Sequence, residues 1–287
     1  MSRVVSGDRS PVSGPSHRGG ELAVRPLLLR ILPDRLRLSA WSRLYRGSAA
    51  GRLPLYSAAA LRFAPGLTMR LLPGDVISDS IAFTGIYELP LSRRVMDLAG
   101  RGGTLVEVGA NLGYFSLLWA SARAGNRCVA FEASPRNVEM LRHNVERNHL
   151  DQQVRVVPRA AGASAGTLTF DVGPPNQTGW GGFTNRTGDG AIEVDVVRVD
   201  ETLATAEPIA LLKVDAEGAD AWVLEGCDGL LRTGAIREVW YEQNKPRMTA
   251  LGIPLDAPRT YLRSVGYAAS PERGPDGDVV EWRAVPA

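Results

Sequence analysis

The sequence predicts a three-layer α/β domain built on a mostly parallel sheet. Three observations carry that prediction. Strand-length apolar runs alternate with helix-length segments from about residue 100 to 285. The run Leu105 to Val108 ends in a glycine turn, Gly109-Ala-Asn-Leu-Gly113, which opens an apolar helix from Tyr114 to Ala122. Finally, Ile209 to Val214 is continuously apolar apart from Lys213, as in a strand covered on both faces.

Taken in order, the chain starts with a stretch rich in Ser, Gly, Pro and Arg. Residues 1–24 lack the apolar region of a signal peptide and read as a disordered tail. Residues 25–99 read as an N-terminal extension. Within it, Leu27 to Tyr45 repeats Leu and Ile at helical spacing, and Pro33 divides two short helices. Leu55 to Leu72 alternates loosely, as a strand or hairpin, and is followed by the turn Pro73-Gly74-Asp75. Leu91 to Ala99 reads as a helix closed by Gly100.

The main domain is expected over 100–287. After the glycine turn and its helix, Cys128 to Phe131 is the second strand, ending at Glu132. Ser134 is placed to cap a helix that starts at Pro135 and reaches about Asn148. Val154 to Val157 is the third strand. Gly166 to Val172 and Ile192 to Val199 alternate as a pair around a long loop, in which Trp180 and Phe183 suggest a lid over an acceptor. Beyond Asp215 a helix reaches Leu231, and Ile236 to Tyr241 is a strand ending before Glu242. A helix over Tyr261 to Val265 follows, then a strand from Tyr267. Val279 to Val285 is expected as a last, antiparallel strand at the sheet edge.

Composition narrows the function classes. The two cysteines, Cys128 and Cys227, sit in apolar company and read as buried thiols in a reducing cytoplasm. No H-E-x-x-H or C-x-x-C pattern points to zinc, and no run is long enough to span a bilayer. No nucleic-acid partner is expected. Charge is segregated: residues 1–70 hold 12 Arg against 3 acids, and the remainder holds 21 basic against 28 acidic residues. Such a front suits peripheral contact with a membrane surface or an anionic partner, or is simply a solvated face.

The site begins at the glycine turn. Glu132 lies 19 residues after Gly113, the spacing at which an acid accepts hydrogen bonds from a ribose. Together they read as a nucleoside-binding βαβ unit. The G-x-G-x-x-G of a dinucleotide site is absent, and so is a phosphate loop. Glu107, just before the first glycine, would repel a pyrophosphate but could hold an ammonium or lie near a sulfonium. S-adenosylmethionine has both of these and a ribose, and no phosphate. A nicotinamide-dependent oxidoreductase and a non-catalytic nucleoside-binding module of the same fold are the alternative readings.

Four further stretches match a known pattern. They are Val106-Glu-Val-Gly-Ala-Asn-Leu-Gly-Tyr-Phe-Ser116; Ala130-Phe-Glu-Ala-Ser-Pro135 with Asn137, Leu141 and Asn144; Asp200-Glu-Thr-Leu203; and Leu212-Lys-Val-Asp-Ala-Glu-Gly-Ala-Asp220, with Glu242 after the next strand. In this order they resemble the FkbM family of S-adenosylmethionine-dependent methyltransferases over about residues 100–245, with the resemblance reaching upstream to Gly85-Ile-Tyr-Glu88. Glu107 stands where many members carry Asp, and Asp220 where many carry Glu; both keep the carboxylate. The resemblance implies a class I methyltransferase fold, Rossmann-like, with seven strands and the last antiparallel. It implies O-methylation of a hydroxyl on a sugar, glycolipid or secondary metabolite, hence a small-molecule or glycan acceptor.

Roles follow by position. Glu132 is expected to hold the ribose, with Ala133, Ala160 and Ala161 near the adenine. Gly109 and Gly113 are expected against the methionine portion, with Asn111 bonding its carboxylate or ammonium and Glu107 and Asp215 completing the contacts. Asp215, Glu217 and Glu242 are the candidate bases. The same three could hold a divalent cation, but a protein base or positioning role without a metal is the preferred reading.

Overall fold

The computed structural model describes residues 22, 27–44, 56–188, 190–203, 208–272, 274 and 276–287. The expected tail over 1–24 therefore lies, apart from Leu22, outside the described residues. As expected, Pro33 separates two short helices, α1 (Leu27–Ile31) and α2 (Asp34–Leu44). The buried Arg37 ties them down, donating to the carbonyls of Leu32 at 3.0 Å and Thr84 at 3.3 Å. A hairpin follows, β1 (Ala58–Ala60) with β2 (Thr68–Arg70), then α3 (Val76–Thr84) and α4 (Leu89–Arg101). The helix expected to stop at Gly100 ends at Gly102, whose φ of 90° cannot continue it.

The main domain runs β3 (Thr104–Val108), α5 (Tyr114–Ala122), β4 (Arg127–Phe131), α6 (Pro135–Arg147) and β5 (Val154–Val157). A small sheet comes next, built from β6 (Ala160–Ala161), β7 (Gly166–Asp171), β8 (Gly182–Phe183) and β9 (Ala191–Val197). Then come α7 (Val199–Thr202), β10 (Ile209–Val214), α8 (Asp220–Glu225), α9 (Asp228–Arg232) and β11 (Val239–Asn244). The chain closes with α10 (Lys245–Ala250), α11 (Ala257–Ser264), β12 (Tyr267–Pro271) and β13 (Val279–Pro286).

The large sheet has seven strands in the order β12-β13-β11-β10-β3-β4-β5, with β13 antiparallel to both its neighbours. It is the mostly parallel α/β sheet that was expected. One placement differs: β13 lies between β11 and β12, not at the edge. Its alternation of apolar and polar residues looks like an edge pattern because its polar side chains are also partnered. Glu281 accepts from Trp240 Nε1, and Arg283 pairs with Glu238 at 3.1 Å, while Val280, Trp282 and Ala284 are buried. Pairing with β13 also draws β11 out to Asn244, so Glu242 lies within a strand and not beyond one. Two smaller differences are that Val199 opens α7, and that the helix expected to reach Leu231 breaks at Gly226-Cys227.

Alternate residues of the central strands feed two cores. Leu105, Cys128, Ala130 and Leu211 pack with α4, α5 and α6; Val106, Val108, Phe131, Leu212 and Val214 pack with α8, α9 and α11. That burial on both faces makes the three layers. Residues 56–99 contribute to the first core alongside the main-domain residues. Both cysteines are free and buried. Among the described residues no helix is long and apolar enough to cross a membrane. The carboxyl ends of β3, β4, β10 and β11 share one edge, where such sheets bind ligands.

Candidate functional site

The glycine turn folds as its sequence demands, but for a different immediate reason at each glycine. Gly109 has φ of 77°, and a Cβ there would stand 2.0 Å from the Asp215 carbonyl oxygen. The close neighbour is therefore the next strand's backbone. Gly113 has φ of 92°, and a Cβ would meet Leu141 Cδ1 at 2.5 Å. Of the residues expected against the cofactor, Gly113 lines neither lobe of the cleft described below. Asn111, between them, takes φ of 50°, and its N–H donates to Glu132 Oε2 at 2.7 Å.

Glu132 thus braces the turn from the neighbouring strand. Its other oxygen accepts from Ser134 N at 2.9 Å and from Asn137 Nδ2 at 3.5 Å. Burial raises its pKa against the pull of those donors. Ser134 sits at the N-cap of α6 as expected, yet its hydroxyl makes no capping bond. Glu132→Ala is expected to weaken S-adenosylmethionine affinity at least about tenfold by calorimetry, because the turn loses its brace; unchanged affinity would remove Glu132 from the site.

Two adjoining lobes open at the strand ends and share Gly109, Glu132, Gly181 and Asp215. The larger, about 90 Å³, includes Glu107, Asn111, Lys213, Glu217 and Glu242 in its wall. The smaller, about 60 Å³, is lined by Phe131, Ala133, Ala160, Ala161, Phe170 and Phe183 among others. The described structure thus brings together every expected site residue except Gly113. Asn111 Oδ1 is buried in the wall with no partner.

The acidic group is arranged around one lysine. One oxygen each of Asp215, Glu217 and Glu242 lies within 4.8 Å of the others. Lys213 Nζ stands 3.2 Å from Asp215 Oδ2 and 5.4 Å from the Phe115 ring centroid. Burial opposes its charge, but Asp215, Glu107 and Glu88 outweigh burial and hold it protonated. Arg247 Nε pairs with Glu217 at 3.2 Å, and Asn244 Nδ2 donates to the same carboxylate at 3.0 Å. Three such carboxylates can hold a hard divalent cation. Here two of the three already meet a positive side chain.

The carboxyls differ in acidity. Burial, then Asp215, push Glu217 up to about 7, while Arg247 pulls it down. Burial, then Asp215, Glu217, Asp220 and Glu281, push Glu242 up to about 10. Burial also raises Glu107 to about 7, although Ser116 Oγ donates to it at 2.5 Å. Glu107 therefore contributes a pH-dependent instability. Its folded pKa exceeds its unfolded value of 4.5, so its stabilising contribution is complete below that value and is lost as pH rises through 7. Glu107→Gln is expected to stabilise the ligand-free protein by up to roughly 3 kcal/mol at about pH 8 in urea unfolding, with little gain at about pH 4.5.

Sequence reasoning gave Tyr87 and Glu88 no role in the site. Tyr87 lines the larger lobe and packs against Tyr114 and Phe115, with centroids 6.1 and 6.0 Å away. Glu88 takes φ of 43° before α4, and burial and Glu281 raise it to about 8. The available signal was Gly85-Ile-Tyr-Glu88, an acid after an aromatic just before a helix.

The long loop lines the larger lobe with backbone, and of its two aromatics Phe183 reaches the cleft, in the wall of the smaller lobe. Thr178, Gly179 and Gly181 line the larger lobe, while Phe183 is buried against Phe170 and Trp180 is 55% exposed. Asp75 Oδ1 accepts from Thr178 N at 2.8 Å, Asn137 Nδ2 donates to the Thr178 carbonyl at 2.9 Å, and Arg247 donates to that of Trp180 at 2.7 Å.

Comparison with known proteins identifies the family. The model of the methyltransferase FkbM domain matches residues 107–268. The methyltransferase sdnD of Sordaria araneosa is 32% identical over 155 residues, which cover 43% of this chain and 60% of that one. The chain thus spans less than two thirds of that curated relative's length. Among solved structures, methyltransferase FkbM from Methylobacillus flagellatus is similar at 17% identity and TM-score 0.46, with 64% of this chain and 43% of that chain covered. The O-methyltransferase from Bacillus cereus in complex with SAH is similar at 17% identity and TM-score 0.38, with 70% and 82% covered.

Proposed function

Because the chain belongs to the FkbM family of methyltransferases and takes its methyl group from S-adenosylmethionine, we propose that it methylates a hydroxyl of a small-molecule or glycan acceptor in the two-lobed cleft. Family membership displaces the nicotinamide reading. The observation that carries the proposal is the convergence of Asp215, Glu217 and Glu242 within 4.8 Å, with Glu217 near 7 and Glu242 near 10. A site that must deprotonate an alcohol needs one group that gives up its proton near neutral pH, and this one has it.

The residues present suit the cofactor. Asn111 lines the larger lobe, and its Oδ1, buried without a partner, is an acceptor that a donor such as an ammonium would satisfy. The smaller lobe offers Phe131, Ala133, Ala160 and Ala161 to a flat base, and Glu132, which lines both lobes, would accept from a ribose. Bound there, S-adenosylmethionine supplies a methyl group on positively charged sulfur that needs no further activation. The protein's own work is alignment and proton handling. Glu217 takes the acceptor proton. Glu242 keeps its proton and donates a hydrogen bond that orients the acceptor. Asp215, fixed by Lys213, holds the negative field that favours a cationic donor. Glu107, in the same wall, adds to that field when it is ionised.

Residues 100–287 then form the catalytic domain, and residues 25–99 an extension that helps to wall the cleft through Met69, Ile77 and Tyr87. The test is methyl transfer from labelled S-adenosylmethionine to a panel of neutral glycosides and polyols, alongside amines. An O-methylated product supports the reading, and an N-methylated one replaces it. Cofactor binding with no transfer to any of them returns the chain to the binding-module reading.

A further inference from the structure

The tip of the long loop, residues 173–181, projects beyond the last rung that β7 and β8 share, Asp171 with Gly182. Thr178, Gly179 and Gly181 wall the larger lobe and Gly181 walls both, so a ligand that spans the two lobes passes beneath the tip. Side chains from other elements hold it down. Asp75, just ahead of α3, accepts from the Thr178 N–H at 2.8 Å and from its hydroxyl at 3.0 Å. Arg136 reaches the Pro174 carbonyl at 3.4 Å. Two further holds, Asn137 on the Thr178 carbonyl and Arg247 on that of Trp180, each have a second partner in the site. Asn137 also donates to Glu132, and Arg247 pairs with Glu217. Two carboxylates of the site are thus tied to the tip through one side chain apiece.

The Arg247 link is the tighter. Its Nη2 lies 2.7 Å from the Trp180 carbonyl and its Nε 3.2 Å from Glu217 Oε2, against 2.9 and 3.5 Å through Asn137. The two bonds leave from different nitrogens of one planar guanidinium, so neither partner shifts far without turning the group away from the other. Gly182 makes the room: a Cβ there would stand 2.9 Å from Arg247 Nη1 and 3.0 Å from Glu217 Cβ. Asn244 secures the same pair from the other side. Its side chain caps α10 by accepting from Arg247 N at 3.4 Å, and its Nδ2 donates to Glu217 Oε2 at 3.0 Å. Both donors fall on one oxygen of the carboxylate, which orients it and leaves Oε1 to a third partner.

We propose that Arg247 is a positioning residue that links closure of the tip over the larger lobe to the placement of Glu217. With the tip down, the Trp180 carbonyl fixes the guanidinium, and the guanidinium sets Glu217 with Oε1 left for the acceptor hydroxyl. With the tip raised, Arg247 loses that hold and Glu217 its alignment. The base is then in place only when the cleft is covered, which keeps water from competing for the methyl group. The link is reciprocal: an ionised, aligned Glu217 favours the covered form by as much as the covered form favours its alignment. This rests on Glu217 being the base, and adds what sets it in place.

The experiment is amide hydrogen exchange of the full-length protein over residues 173–181, in wild type, Arg247→Met, Glu217→Gln and the double variant. Arg247→Met is expected to speed exchange there about tenfold, the effect of losing one charge-assisted hydrogen bond. Glu217→Gln, at a side chain bonded to Asn244 and Arg247, should speed it roughly threefold, because the guanidinium loses its charged partner. The double variant should exchange no faster than Arg247→Met. Unchanged exchange in α4 establishes that each variant folds. Arg247→Lys keeps a charge beside Glu217 but is too short to reach the Trp180 carbonyl as well, so it should loosen the tip like Arg247→Met, and it replaces that variant should the latter fail to fold. With an acceptor methylated in the panel, Arg247→Met should lower kcat about tenfold while the KM for S-adenosylmethionine stays within about threefold, a split that a general loss of structure does not give. The proposal is overturned if Glu217→Gln leaves the tip exchanging as in wild type, or if the two substitutions add in full. Exchange needs no acceptor, so the link and the base assignment fail separately: a tip loosened by both substitutions, in a protein that transfers no methyl group to oxygen, would keep the link and discard Glu217 as the base.

Discussion

Glu217→Gln is expected to lower kcat/KM by about two to three orders of magnitude, the usual contribution of a general base. Wild-type kcat/KM should rise with pH through about 7, where the Glu217 carboxyl sheds its proton, and level off above it. The direction follows from the chemistry: only the ionised form accepts the acceptor's proton. The variant should lose that rise. Its S-adenosylmethionine affinity should change little, because a glutamine keeps the contact with Asn244 and Lys213 still fixes Asp215. Rate–pH profiles of both proteins test this. A variant that keeps both its rate and the inflection near 7 would move the base to another group. Glu242→Gln is a useful contrast. Glu242 keeps its proton to about 10, so the amide replaces a donor with a donor and the shape of the profile near 7 should survive.

Gly109→Ala is expected to cost roughly 4 kcal/mol or more, enough to unfold much of a marginally stable protein. Two penalties add. The backbone sits at φ of 77°, which an alanine adopts only under strain, and the new Cβ would stand 2.0 Å from the Asp215 carbonyl oxygen. That oxygen cannot retreat cheaply. Asp215 N donates to the Val108 carbonyl at 3.0 Å, so moving it parts β10 from β3 at the centre of the sheet. Gly100→Ala is the control. Gly100 lies inside α4 with nothing within 4 Å of its Cβ position, and the change should raise stability by up to about 1 kcal/mol. Urea midpoints of the two variants against wild type decide the matter. A Gly109→Ala protein as stable as wild type would mean that β3 and β10 are not held as tightly as their hydrogen bonding implies.

The turn, its two glycines, Asn111 and Glu132 were legible in the sequence because the constraints on them are local. A strand that must end, a helix that must begin and a positive φ between them leave few residue choices over ten or so positions. The same holds for Asp215 and Glu217, which follow a strand apolar enough to be buried on both faces. Pro33, the hairpin over 58–70 and the apolar faces of α5 and α6 were readable on the same grounds.

What the tertiary structure alone decided lies between segments far apart in the chain. The alternation of β13 is the same whether its polar side chains meet water or Trp240 and Glu238, so only pairing could place it inside the sheet. The lid was expected to present Trp180 and Phe183; Phe183 does line the smaller lobe, while the bonds to Asp75, Asn137 and Arg247 set the loop's backbone, and not Trp180, against the larger one. Most of all, no local pattern separates Glu217 from Glu242 by acidity. Burial and Asp215, with Arg247 acting on Glu217 and Asp220 and Glu281 on Glu242, put Glu217 near 7 and Glu242 near 10, because the cost of a buried charge depends on everything within a few ångströms in space, whatever its distance along the chain.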